Sequence, residues 1–342
     1  PENSIIDLTQ IKTAAANGGE NTDYFRREYK ALFTDSSDSY FNIKKMHDCT
    51  ILRECFPTTQ IIGEKKSEYI LTIDPSYSSS KNSDYFAMGI YLINNDERKI
   101  TLVHSYGKAG GEIRHHFEYF AYILTFFNIV FIAIDASGTE FISGFNESSI
   151  AKEKNLKVDF IDCEFDTDDS TEYQKQLKEA KKQYNLLGKR IGYAQKFSTA
   201  NGAIRRMNEH LQNQIQAEKV WFASPCLVNK SSFERQKEIK LPFNFESNQD
   251  KLYETIDFIE EQDRWIVQTK SQVALIEVRA SQAGVLQYDL PSSLRNSQAN
   301  EKVRKDNYTC LLIGNWIAKI YFDIMFAEEI KKQDFFTPRF IS

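Results

Sequence analysis

The 342-residue sequence has few of the residues and motifs that would assign it a function at once. Its five cysteines (Cys49, Cys55, Cys163, Cys226 and Cys310) form no CxxC pair and are odd in number, which argues against both a zinc knuckle and a disulfide framework. No GxxxxGK[ST] loop occurs, so a P-loop for nucleotide phosphates is excluded. The most apolar run, Tyr119 to Ile134, is interrupted by Asn128 and closed by Asp135, and is too short for a membrane span. No basic-then-apolar leader opens the chain, and a start at Pro1 reads as a processed or excised fragment. Positive charge is not in surplus either: the formal net charge is −5, which at face value disfavours a polyanionic partner.

What is present is an ordinary globular composition, 41% hydrophobic and 27% charged, in a chain long enough for a sizeable core. The cysteine usage suits a reducing cytosol. The basic residues that do occur are clustered: Lys175, Lys178, Lys181, Lys182, Lys189, Arg190 and Lys196, then Arg205 and Arg206. Such a cluster is a solvated helix face or a phosphate-binding surface.

Residues 1–67 are of mixed character, with a polar leader, a helical YFRREYKALF and a turn-like FTDSSDSYF. Aromatic residues from Tyr24 to Phe56 suit packing against the outside of a core that begins near Glu68. From there the pattern predicts strands at Tyr69–Ile73, Phe86–Ile93 and Ile100–Tyr106, a helix at Ile113–Phe127 and a buried strand at Asn128–Ile134. Further on it predicts helices at Thr139–Lys154, Ser170–Leu187, Ala200–Ala217, much of Leu252–Arg279, and Asp306–Met325. Strands are predicted at Lys157–Ile161, Lys219–Phe222 and Val285–Asp289, a polar loop at Pro291–Asn300, and a basic β-hairpin in LLGKRIGYAQKF. The expected fold class is α/β, a mixed sheet with helices on both faces.

Within this frame three aspartates stand at element ends. Asp74 follows the first strand in TIDPS, Asp135 follows the buried strand in AIDASG, and Asp306 opens the last helix in KDNY. Singly, each has a plain structural role as a turn residue or helix-start acid. Together, carboxylates that converge without neutralising one another are costly unless they bind cations. Hard oxygen ligands with no His or Cys beside them favour Mg²⁺ or Mn²⁺, and two such ions about 4 Å apart suit phosphodiester hydrolysis.

TIDPS, AIDASG and the basic stretch leading into KDNY, with VWFASP and IVQTKSQVALIEVRASQAGVLQYDLP between them, resemble the nuclease domain of the phage terminase large subunit. The resemblance covers most of the chain. It implies a ribonuclease H-like fold and a Mg²⁺- or Mn²⁺-dependent, two-ion endonuclease with Asp74, Asp135 and Asp306 as catalytic metal ligands and Asp84 as an auxiliary acid. It also implies double-stranded viral DNA as substrate, the small terminase subunit and portal protein as partners, no membrane, and the host cytoplasm as location. Residues 1–67 would be an arm from the ATPase side, and 68–342 the nuclease domain. Lys302, Arg304 and Lys305, beside Asp306, are expected phosphate contacts, as are Lys189, Arg190 and Lys196.

Lys305 and Asn307 flank Asp306 where many members carry an Asp or His, which makes the third ligand the least secure. Other classes stay open. A sugar-kinase or actin-like ATPase also has an Asp after its first strand, but its phosphate hairpin needs glycines that PSYSSSKNS lacks. A transposase or resolvase shares the fold, but no DNA-reading domain is visible. A non-catalytic adaptor would bind no divalent metal.

Overall fold

Between Tyr69 and Ala109 the chain offers three apolar runs rich in β-branched and aromatic residues, separated by polar turns, and each becomes a strand. In the computed structural model, which describes residues 39–52, 55–77, 84–110, 112–161, 165, 170–187, 191–195, 202–225, 248–280, 285–295 and 303–334, these are β1 (Tyr69–Asp74), β2 (Tyr85–Asn94) and β3 (Lys99–Ala109). They form an antiparallel meander. A short helix, α1 (Ile43–Asp48), precedes it, and α2 (Ile113–Phe126) carries the chain back to β4 (Ile129–Asp135), which lies parallel to β1.

After β4 come α3 (Thr139–Glu147), α4 (Ser149–Glu153), β5 (Asp159–Phe160), α5 (Ser170–Leu187), β6 (Ile191–Gln195), α6 (Ala203–Gln216) and β7 (Val220–Phe222). The remainder is α7 (Asn248–Ala274), the hairpin β8 (Glu277–Ala280) with β9 (Leu286–Asp289), α8 (Ser292–Arg295) and α9 (Asp306–Asp334). The main sheet has seven strands in the order β5-β6-β4-β1-β2-β3-β7, and β8 and β9 form a separate pair. A three-stranded meander extended by parallel strands beside β1 is the mixed sheet of a ribonuclease H-like fold.

Helices cover both faces. On one, Phe86 of β2 stacks on His116 of α2 with ring centroids 4.1 Å apart and meets Phe141 of α3. On the other, α9 lies across the sheet, flanked by α5 through Tyr173 and Asp323 and by α6 through Tyr308 and Asn208. The closest approach of α9 to the sheet depends on two glycines. A Cβ on Gly314 would stand 2.6 Å from the Tyr91 ring, and one on Gly89 would stand 2.6 Å from the Tyr91 hydroxyl. Tyr91 is fully buried and cannot swing away, so its ring fills a slot that only these glycines leave open. The first 21 residues of α9, Asp306–Phe326, are long and apolar enough to cross a membrane, with mean hydropathy 1.3, but 67% of their most apolar window is buried inside the protein.

Several expectations are corrected. The helix expected over Thr139–Lys154 breaks at Ser148, whose hydroxyl accepts from the Ala151 N–H at 3.2 Å and starts α4. The helix expected over much of Leu252–Arg279 is α7, and beyond it Glu277–Ala280, not expected as a strand, pairs with β9. The loop at Pro291–Asn300 contains α8. The basic hairpin is not formed: Ile191–Gln195 lies inside the sheet, parallel to β4 on one side and β5 on the other. Tyr193, in the middle of that stretch, is 1% exposed and its hydroxyl accepts from the Phe165 N–H at 3.3 Å.

Residues 39–52 and 55–62 pack against the main core: Phe41, Met46 and Ile61 are buried in it, and Thr50 and Thr58 bridge to Phe222 and Ser224 at the sheet's edge. Of the aromatic residues expected to pack there, Tyr40 and Phe41 do, Phe56 is 61% exposed, and Tyr24, Phe25, Tyr29 and Phe33 lie outside the described residues. Because the Tyr91 slot is already full, Gly314→Val is expected to lower stability by about 1–3 kcal/mol through overpacking. Equilibrium unfolding in urea checks this; a wild-type midpoint would show that α9 can lift off the sheet freely.

Candidate active site

β1 and β4 are buried at every position but their last, so the first residue solvent reaches on each is an aspartate. Their parallel register pairs Ile73 with Ile134, which brings Asp74 and Asp135 out of adjacent strands at the same level, about 4.8 Å apart in backbone spacing. On the other side of β1, Asp74 pairs with Ala87, so the start of β2, with Asp84 just before it, borders the same end of the sheet.

Asp306 arrives from the far end of the sequence. Its Oδ2 accepts a hydrogen bond of 2.7 Å from the Tyr85 N–H, and its residue is only 8% exposed. Three further bonds hold the start of α9 in place. The Thr72 hydroxyl donates to the Cys310 carbonyl at 3.1 Å, and the Asn307 amide donates to the Ser105 hydroxyl at 3.0 Å and the Tyr106 carbonyl at 3.3 Å. Thr309, one turn along from Asp306, stands beside the Asp74 carboxylate and favours its charged form, while its hydroxyl donates to the Lys305 carbonyl at 3.3 Å.

The electrostatics follow from this convergence. Burial pushes the Asp74 carboxyl well above the usual carboxylate range, and the negative charges of Asp306, Asp135 and Asp84 push it the same way, with Thr309 opposing them. All four acids therefore share one field. Among the described residues no three Asp, Glu, His or Cys side chains are already gathered as a ready-made ligand cage. The donor set nevertheless fits a hard divalent cation that keeps several of its waters: it is made of carboxylates, and the one thiol beside them, Cys310, is buried and pushed well above the usual thiol range by burial and by Asp74.

The expected basic residues divide. The Arg304 guanidinium lies over the Tyr85 ring, 4.1 Å from its centroid and so next to Asp84. Lys305 pairs with Asp289 at 3.0 Å rather than with the clustered acids. Lys302, Lys189, Arg190 and Lys196 lie outside the described residues. Part of the basic surface on α5 and α6 is tied up in exposed pairs, Lys175 with Glu172 and Arg205 with Glu209. Sequence reasoning missed Tyr85, whose backbone holds Asp306, and Thr309; the three-residue spacing from Asp306, which puts Thr309 on the same helix face, was the available signal.

No protein-family model matches the chain, and no curated protein matches it. Solved structures do. The chain is similar to the large terminase nuclease of thermophilic phage G20c with bound magnesium, at 6% identity over 82% of this chain and 98% of that one, with a TM-score of 0.40. It is similar to the nuclease domain of the large terminase subunit of bacterial virus Sf6, at 7% identity over 80% and 98%, with a TM-score of 0.36. It is also similar to the HK97 bacteriophage large terminase, at 10% identity and a TM-score of 0.40, where it covers 92% of itself and 55% of that chain.

Because the folded state raises the Asp74 pKa, the stability this group contributes is full below the ordinary carboxylate range and is lost as pH rises through the raised value. Metal-free protein should therefore lose stability on going from pH 4 to pH 8, and Asp74→Asn should flatten that loss and melt no lower than wild type at pH 8. Thermal melts in chelator at both pH values measure it. A variant that melts far below wild type at both would make Asp74 a turn residue needed for folding.

Proposed function

We propose that this protein is a divalent-metal-dependent endonuclease that hydrolyses phosphodiester bonds of double-stranded DNA, acting as the nuclease of a viral DNA-packaging terminase. The observation that carries the reading is the convergence of Asp74, Asp135, Asp306 and Asp84 at one end of the sheet, where burial and then the like charges of the other three raise Asp74. A purely structural set of turn residues has no reason to accumulate like charge.

Asp74, Asp135 and Asp306 would hold two Mg²⁺ or Mn²⁺ ions, with Asp84 as an auxiliary acid. The bound ions supply Lewis-acid stabilisation of the reacting phosphate oxygens and a nucleophile from water. The chain's own groups do the positioning. The parallel register fixes Asp74 against Asp135, the Tyr85 N–H orients the Asp306 carboxylate, and Thr309 stands beside the Asp74 carboxylate and favours its charged form. Pre-oriented ligands of this kind are worth about 10- to 100-fold in activity when a supporting partner is removed.

DNA must approach an acidic site in a chain of net charge −5, so the cations near the acids offset phosphate repulsion. Arg304 stands next to Asp84, and Lys302, Lys305, Lys189, Arg190 and Lys196 complete the proposed phosphate contacts. Among the described residues no element is built to read base edges, so cutting is expected to be largely sequence-independent, with its sites set by partners, the small terminase subunit and the portal. The reaction belongs to the host cytoplasm, where packaging occurs.

Purified protein with Mn²⁺ and no ATP is expected to nick and linearise supercoiled plasmid. Asp74→Asn and Asp135→Asn should reduce cutting to background, and Asp84→Asn should slow it about 10- to 100-fold. Plasmid left intact by high protein concentrations in Mn²⁺ would overturn the nuclease reading. Neutralising Lys189, Arg190 and Lys196 together should flatten the salt dependence of DNA binding, by about 0.9 in log–log slope for each phosphate no longer neutralised; an unchanged slope places that segment away from DNA.

A further inference from the structure

A cavity of about 280 Å³ opens beside the acids, walled by the segment leaving β1, the first turns of α2, and α3. Its lining includes Tyr77, three residues beyond Asp74, and Glu140, five beyond Asp135, so it borders both strand ends that carry the acids. Tyr77 is 53% exposed and Ile113 is 42% exposed, an unusual cost for large apolar side chains that line the same hollow. Tyr77 is nonetheless held, its hydroxyl donating to the Gly138 carbonyl at 3.4 Å. Phe117 adds a second aromatic wall.

Two polar groups complete the lining. His116 is 3% exposed, its ring stacked on Phe86 and its Nδ1 3.3 Å from the Tyr106 hydroxyl, which leaves Nε2 as its second polar position. Glu140 supplies a carboxylate acceptor. Aromatic walls with a buried imidazole and a carboxylate suit a flat heterocycle that bears N–H donors and ring-nitrogen acceptors on its edge. The volume lies at the lower end of small-ligand pockets, which begin near about 300 Å³, so it holds one ring system rather than a paired duplex step.

We propose that this cavity takes an unpaired nucleobase of the DNA strand being cut, drawn out of the stack next to the phosphate that lies over Asp74 and Asp135. The proposal rests on the nuclease reading above and deepens it by naming the substrate state the site prefers. Base–aromatic stacking is tolerant of sequence, so a base can be captured without base-specific cutting. Extrusion from a paired duplex is costly and is cheapest at a mismatch, bubble or frayed end. Duplexes that carry an unpaired base beside the cut should therefore be cleaved faster than fully paired ones.

Gly144, on the lining, allows the cavity to be filled without disturbing the acids. A Cβ there would meet only Phe117, at an ordinary 3.4 Å. The test uses the full chain in chelator and a single-stranded oligonucleotide containing 2-aminopurine, with fluorescence as the readout, followed by cleavage assays in Mn²⁺. The probe is expected to change in fluorescence on binding the wild type. Tyr77→Ala and Gly144→Leu should each weaken that binding about fivefold or more, the low end of one base–aromatic stack. In Mn²⁺, Gly144→Leu should lose the preference for bubble over paired DNA while still cutting paired plasmid. An unchanged probe signal, or a Gly144→Leu variant that binds the probe and prefers bubbles like wild type, overturns the proposal and leaves the hollow to a side chain of a protein partner. Wild type that cuts no DNA at all in Mn²⁺ would instead overturn the nuclease reading, so the two failures are distinguishable.

Discussion

At Asp74, burial and three neighbouring carboxylates act on one side chain in the same direction. Left to themselves, four like charges would separate, and the architecture around them is what prevents it. Asp74 and Asp135 are committed by backbone pairing in the middle of the sheet, where a shift of register would turn every buried side chain of β1 to the wrong face. Asp306 is committed from the opposite direction by the Tyr85 N–H and by the bonds from Thr72 and Asn307 that fix the first turns of α9. The height of α9 over the sheet is in turn set eight residues further on, where Gly314 lies against Tyr91. A core contact with no charge in it therefore fixes the position of the third acid.

The elements legible in the sequence are those whose environment is uniform along their length. β1 and β4 are buried on both faces, so they appear as continuous apolar runs, and the aspartate that ends each run marks the point where the sheet meets solvent. The meander was legible for the same reason. β6 was not. Gly192, Tyr193 and Ala194 between basic flanks have the alternation of an exposed hairpin, and what buries Tyr193 is pairing with β4 and β5, strands that begin 62 and 32 residues earlier. Local pattern carries no information about such partners. The break at Ser148 and the turn from α7 into β8 were missed because single capping and pairing bonds decide them against a helical composition on both sides.

The candidate site shows the same division. Asp74 and Asp135 could be picked out from their own surroundings, whereas Asp306, by its local sequence, is an ordinary helix-start acid. Its distinction is the Tyr85 backbone, 221 residues away, and no feature of the sequence near residue 306 encodes that bond. The neighbouring cations illustrate how local charge misleads. Lys305 lies next to Asp306 in sequence, yet it pairs with Asp289 of the small hairpin, while Arg304 covers Tyr85. At Asp74 itself the dominant influences remain burial and the three neighbouring carboxylates.

The seam between α7, α9 and β3 carries a related imbalance. Asn307 Oδ1 and Gln272 Nε2 are buried with no hydrogen-bond partner among the described residues, although the other half of each amide is satisfied, by Ser105 and Tyr106 in one case and by the Tyr308 N–H in the other. Each unmade bond of this kind costs about 1–3 kcal/mol. Both side chains act at the first turn of α9, since Asn307 follows Asp306 directly and Gln272 is bonded to the residue after it. Up to Ile324, α9 otherwise packs mainly apolar side chains into the core, with Asn315 Nδ2 and Trp316 Nε1 also buried and unpartnered among the described residues. Incomplete bonding therefore runs from the first turn of α9, beside the acids, to its middle, and what holds the helix over the sheet is its apolar packing and the Gly314–Tyr91 contact rather than its polar bonds.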